Sequence, residues 1–108
     1  MVGYSKKVKT LPETIQNLLK SAVERLDPME VILFGSRARG DAGKHSDFDI
    51  ALKLTKEGKK EWTRFVVDVE DEAITLFSVD LMDYDSLDDE YKKEIEAEGV
   101  LLYAKKVV

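Results

Sequence analysis

The chain has 108 residues, 44% of them hydrophobic, enough for one core and too few for two domains. It has no cysteine and a single histidine, His45, which excludes disulfides, thiolate chemistry and cysteine-built zinc or iron–sulfur sites. Acidic residues outnumber basic ones by 22 to 17, a net charge of −5, the opposite of the basic footprint that tight nonspecific nucleic-acid binding needs.

These bounds predict one domain spanning residues 1–108. No apolar run approaches the ~18 residues of a membrane span. The charged stretch Met1 to Lys7 leads into no apolar segment of the signal-peptide kind, so the expected location is cytoplasmic. Lys6, Lys7 and Lys9 read either as a mobile basic arm or as a solubilising tail.

Pro12 suits the first position of a helix. Ile15, Leu18, Leu19, Ala22 and Leu26 then recur at helical spacing. Asp27-Pro28 stops that helix, because the residue before a proline avoids the right-handed helical region. Val31 to Phe34 is a continuous apolar run of strand length, read as a buried strand that Gly35 ends. Ser36 to Gly40 opens a short helix or turn. From Ser46 to Leu54 the pattern alternates, with Phe48, Ile50, Leu52 and Leu54 on one face and Asp47, Asp49, Ala51 and Lys53 on the other. Trp62, Phe65, Val66, Val69 and Ala73 form a helical stripe. Leu76 to Met82 is a third strand, with Asp80 on its polar side. Ser86 is the expected cap of a last helix, whose buried stripe is Leu87, Tyr91 and Ile95. Gly99 ends it, and Val100 to Tyr103 could add an edge strand. The order α-β-α-β-α-β-α describes a mixed α/β protein, a small sheet flanked by about four helices.

The chemistry concentrates in Phe34-Gly35-Ser36-Arg37-Ala38-Arg39-Gly40 and Ser46-Asp47-Phe48-Asp49. Asp47 and Asp49 lie two apart on a strand and project from one face. Two like charges there repel, and a divalent cation relieves that; Mg²⁺ prefers carboxylate and phosphate oxygens. If the second and third strands are neighbours, Asp80 joins the pair. Three carboxylates on one sheet face suit two-metal phosphoryl or nucleotidyl transfer. The missing Cβ of Gly35 lets a phosphate approach the backbone, where the Ser36 hydroxyl and nearby N–H groups donate to it. Arg37 and Arg39 add charge-assisted contacts to a polyphosphate. A P-loop reading fails, because Asp41-Ala42 stands where Lys-Ser/Thr is needed. An EF-hand starting at Asp47 fails as well, with Leu52 in place of the glycine. His45, in a polar loop, reads as solvated, and the acidic stretches 68–72 and 83–90 as wet faces.

Gly35-Ser36, ten intervening residues, then Asp47-x-Asp49 resembles the signature of the DNA polymerase β-like nucleotidyltransferase superfamily. The fuller string, with Ile50, is similar to its minimal nucleotidyltransferases, short proteins often paired with a HEPN-domain partner. The likeness covers nearly the whole chain, including Val79-Asp80-Leu81 and Glu98-Gly99-Val100. It implies that Ser36 binds nucleotide phosphate, that Asp47 and Asp49 bind metal, and that Asp80 is the third carboxylate and helps activate the attacking hydroxyl. It also carries Arg39 over as a phosphate contact, beside Gly35 and Arg37, which the residue reading alone places at the nucleotide. It further implies ATP as substrate, two Mg²⁺ ions with Mn²⁺ as a substitute, and transfer of AMP to a tyrosine hydroxyl of a HEPN ribonuclease toxin, making the chain an antitoxin. Two other readings stay open: an antitoxin that neutralises only by binding, and transfer to a free small molecule.

Overall fold

The computed structural model describes residues 3–71 and 78–106. A four-stranded mixed sheet, ordered β3-β2-β1-β4, is built from β1 (Glu30–Phe34), β2 (Phe48–Lys53), β3 (Val79–Asp83) and β4 (Val100–Ala104). β1 pairs antiparallel with both β2 and β4, and β2 pairs parallel with β3. Four α-helices accompany it among the described residues: α1 (Glu13–Leu26), α2 (Ser36–Arg39), α3 (Lys56–Asp71) and α4 (Asp89–Glu98). None of them is long and apolar enough to cross a membrane.

Alternation along β2 sorts the core into two. Phe48, Ile50 and Leu52 face α1 and α3, joined by Ile15, Leu19, Ala22 and Leu26 of α1 and by Phe65 of α3. The opposite face carries a thinner cluster of Ile32, Phe34 and Ala51 under Ile95 of α4. Helices therefore cover both faces of the sheet, the arrangement expected of the pattern. The parallel step from β2 to β3 needs a long crossover. α3 forms the described part of it, and the expected positions Ala73, Leu76 and Phe77 fall outside the described residues.

Four local expectations need adjustment. The basic N-terminal stretch is neither a mobile arm nor a mere tail. Lys6–Thr10 forms a 3-10 turn that buries Val8. Just before it, Ser5 N–H donates to the Leu102 carbonyl and the Gly3 carbonyl accepts from Ala104. Pro12 is the N-cap residue of α1, one position ahead of its expected place. The N-cap of α4 is Asp88, whose carboxylate accepts from Tyr91 N–H at 3.0 Å; Ser86 belongs to a 3-10 turn and donates to Asp83. With the helix starting later, Tyr91 is 45% exposed, and Ile95 alone of the predicted stripe is buried.

Candidate active site

The candidate residues gather where β1 gives way to α2. Asp49 stands opposite Phe34 on one side and opposite Asp80 on the other. Residues in register on adjacent strands share a face, so Asp49 and Asp80 project side by side from the α4 face of the sheet. The turn after Phe34 makes room for them. Gly35 has φ 73° and ψ −159°, backbone that is essentially restricted to glycine. A Cβ there would run into the Asp49 carboxylate. The space left by the missing Cβ is thus taken up by the Asp49 carboxylate. The Gly35 carbonyl then accepts from the N–H groups of Ala38 and Arg39, each at 3.1 Å, starting α2 with half-buried Ser36 at its head.

Asp47 lies one residue outside the β2 ladder and is exposed. Asp49 is half-buried, and its carboxyl is pushed up to about 6. Burial is the largest cause, followed by the neighbouring charges of Asp80 and Asp47, a side-chain hydrogen bond with Asp80, and the charge of Glu94. Among the described residues no three acidic or histidine side chains close around one point as a self-sufficient metal cage. The donors fit a divalent cation that arrives with oxygen ligands of its own. They are all carboxylates, as Mg²⁺ prefers, and the repulsion concentrated on Asp49 is what a cation would relieve.

The two arginines point to different neighbours. Arg37 turns toward the loop before β2. Its Nε and Nη2 donate to the Ser46 carbonyl at 3.2 and 3.0 Å, Nη2 also reaches the Lys44 carbonyl at 3.4 Å, and the guanidinium lies 4.4 Å from the centre of the Phe48 ring. Arg39 is held by carboxylates: Glu98 at 3.0 Å, Asp41 at 3.2 Å and Glu94 at 3.5 Å. His45 is exposed in the same loop. Glu94 and Glu98 are additions that sequence reasoning missed. Both lie on α4, far along the chain, and only the docking of that helix on the sheet brings them here. The one local signal is their spacing of four, which puts them on one side of a helix.

A family model described as "Polymerase beta, Nucleotidyltransferase" matches residues 13–107. No curated protein sequence matches the chain. Among solved structures, a toxin–antitoxin crystal structure with AMP-PNP is similar at 26% identity and a TM-score of 0.56, over 89% of this chain and 76% of the other. A tyrosine-to-alanine variant of the MntA–HpeT toxin–antitoxin is similar at 27% identity and 0.53, over 89% and 75%. Another MntA–HpeT variant shares the fold at 23% identity and 0.54, with the same coverage.

Proposed function

Because this chain belongs to the polymerase beta nucleotidyltransferase family, we propose that it transfers AMP from ATP to a tyrosine hydroxyl of a HEPN ribonuclease toxin and so acts as its antitoxin. The observation that carries this reading is the Asp49–Asp80 pair set against the Gly35-Ser36 turn. Asp47, Asp49 and Asp80 would hold two Mg²⁺ ions, which when bound neutralise the triphosphate charge. Ser36 donates its hydroxyl to a phosphate oxygen. Arg39 adds charge-assisted contacts, exchanging Glu98 and Glu94 for the polyphosphate. Asp80 accepts the proton of the attacking hydroxyl as that oxygen bonds to the α-phosphorus and pyrophosphate departs. The similarity to a toxin–antitoxin structure with AMP-PNP, an ATP analogue, supports both the nucleotide and the partner. The chain is read as one cytoplasmic domain over residues 1–108, to which the toxin brings the acceptor.

The test is mass spectrometry of the co-purified partner after incubation with ATP and Mg²⁺. A gain of one or more AMP residues on the partner is the expected result. An unmodified partner that is nevertheless neutralised points to occlusion, and AMP on a free small molecule points to a different acceptor.

Metal should also govern substrate binding. A lone carboxylate pair is a poor Mg²⁺ cage, and the phosphates supply the remaining ligands. ATP titrated calorimetrically should therefore bind in Mg²⁺ or Mn²⁺ and lose at least tenfold in affinity in excess EDTA. Equal affinity in the two buffers would rule out metal-bridged binding.

A further inference from the structure

Asp47 poses a problem of support. The paired ladder of β2 begins at Phe48, whose N–H donates to the Ser78 carbonyl at 2.9 Å, so the sheet holds Asp47 on its C-terminal side only. The turn before it is tied mainly to itself: Ser46 N–H donates to the Gly43 carbonyl at 3.2 Å, and Gly43 N–H to the Ser46 hydroxyl at 2.8 Å. A metal ligand needs tighter positioning than such a turn provides. Arg37 contacts both sides of it. Two of its N–H groups converge on the carbonyl of Ser46, the residue before Asp47, and its guanidinium carbon sits 4.4 Å from the ring centre of Phe48, the residue after. Arg37 is itself fixed on α2, directly after Ser36.

We propose that Arg37 is a positioning residue, a clamp that fixes Asp47 relative to the Gly35-Ser36 turn so that metal and nucleotide sites keep one geometry. This rests on the nucleotidyl-transfer reading for its purpose, and on the contacts alone for its existence. The role differs from that of a phosphate contact. A phosphate-binding cation keeps part of its function as lysine. A clamp does not, because an ammonium on a flexible stem lacks the fixed fork that places two N–H groups on one carbonyl while the same group contacts a ring.

Arg37→Lys and Arg37→Gln are compared with the parent by amide hydrogen exchange in the metal-free protein and by Mn²⁺ titration with saturating AMP-PNP, read by electron paramagnetic resonance. Both variants are expected to exchange about tenfold faster at Gly43 and Ser46 with the β1 and α1 amides unchanged, and to weaken Mn²⁺ binding by about tenfold or more, the usual effect of losing a residue that orients a metal ligand. In transfer assays kcat should fall, and any rise in KM for ATP should be no larger than the loss of Mn²⁺ affinity, to which it is linked. Unchanged exchange at Gly43 and Ser46 overturns the clamp. So does full retention of Mn²⁺ affinity by the lysine variant, or a loss confined to KM for ATP. If the parent binds no Mn²⁺ with AMP-PNP, nucleotidyl transfer is the reading that fails, and the exchange measurement still decides the clamp. Should the glutamine variant unfold, the lysine variant, which keeps the charge and the stem, carries the comparison.

Discussion

Asp49→Asn is expected to lower nucleotidyl transfer by a hundredfold or more while raising the melting temperature of the metal-free protein. On the proposed nucleotidyl-transfer reading, the activity loss follows from removing a metal ligand and its charge. The stability gain follows from Asp49's position. Its carboxyl, ordinarily near 3.8, is raised to about 6 by burial and by Asp80 and Asp47, so the folded state binds this proton more tightly than the unfolded state does. The resulting stabilisation is complete below about pH 4 and is lost as pH rises through 6. At pH 7 to 8 the ionised side chain therefore costs the fold roughly 1–2 kcal/mol, once the solvent reaching a half-buried group is allowed for. Thermal melts in EDTA should place the variant several degrees above the parent at pH 7.5, and the gap should close toward pH 4. A variant that melts below the parent at pH 7.5 would give Asp49 a structural role. A folded, inactive variant that still protects cells against the toxin would establish neutralisation by binding.

Gly35→Ala should damage both stability and activity. The backbone at φ 73° and ψ −159° is open to glycine and costs another residue about 1–3 kcal/mol. The added methyl also occupies the space of the Asp49 carboxylate and must push it off Asp80. A fall in melting temperature of roughly 10 °C is expected for a chain of this size, with transfer reduced about a hundredfold. The two causes separate in the Asp49→Ala background. There the steric part disappears, so Gly35→Ala should destabilise less than it does in the parent. Equal destabilisation in both backgrounds would assign the whole effect to the backbone.

The sheet was legible because its strands carry the strongest kind of signal. Val31 to Phe34 is apolar throughout because β1 is central and buried on both faces, and β2 alternates between a deep core and the face bearing Asp49. The glycine of the turn was legible for a physical reason: at φ 73° and ψ −159°, against a carboxylate, a residue with a Cβ does not fit. The partnership of Asp49 with Asp80 depended on β3 lying next to β2, which a pattern suggests and only the topology settles. Less visible were interactions created by packing. Nothing near Arg37 in sequence announces that it will chelate the carbonyl of a residue nine positions on. Nothing near Arg39 announces Glu98, 59 positions away. The start of α4 was misplaced because Ser86 and Asp88 are both competent caps, and Ser86 is bonded to Asp83 instead.

The unequal thickness of the two cores has a consequence for how the protein opens. α1 buries four side chains in the large cluster, whereas α4 buries only Ile95 in the small one. Surface ion pairs such as Arg39–Glu98 add little to its attachment. The free energy holding α4 in place is thus well below that of the global fold, and it should behave as a separate cooperative unit of low stability. Since α4 carries Glu94, its undocking would withdraw a negative charge that Asp49 feels, and would free Arg39 from Glu94 and Glu98. The electrostatic character of the site is therefore a property of an ensemble, weighted by how often this one helix leaves the sheet.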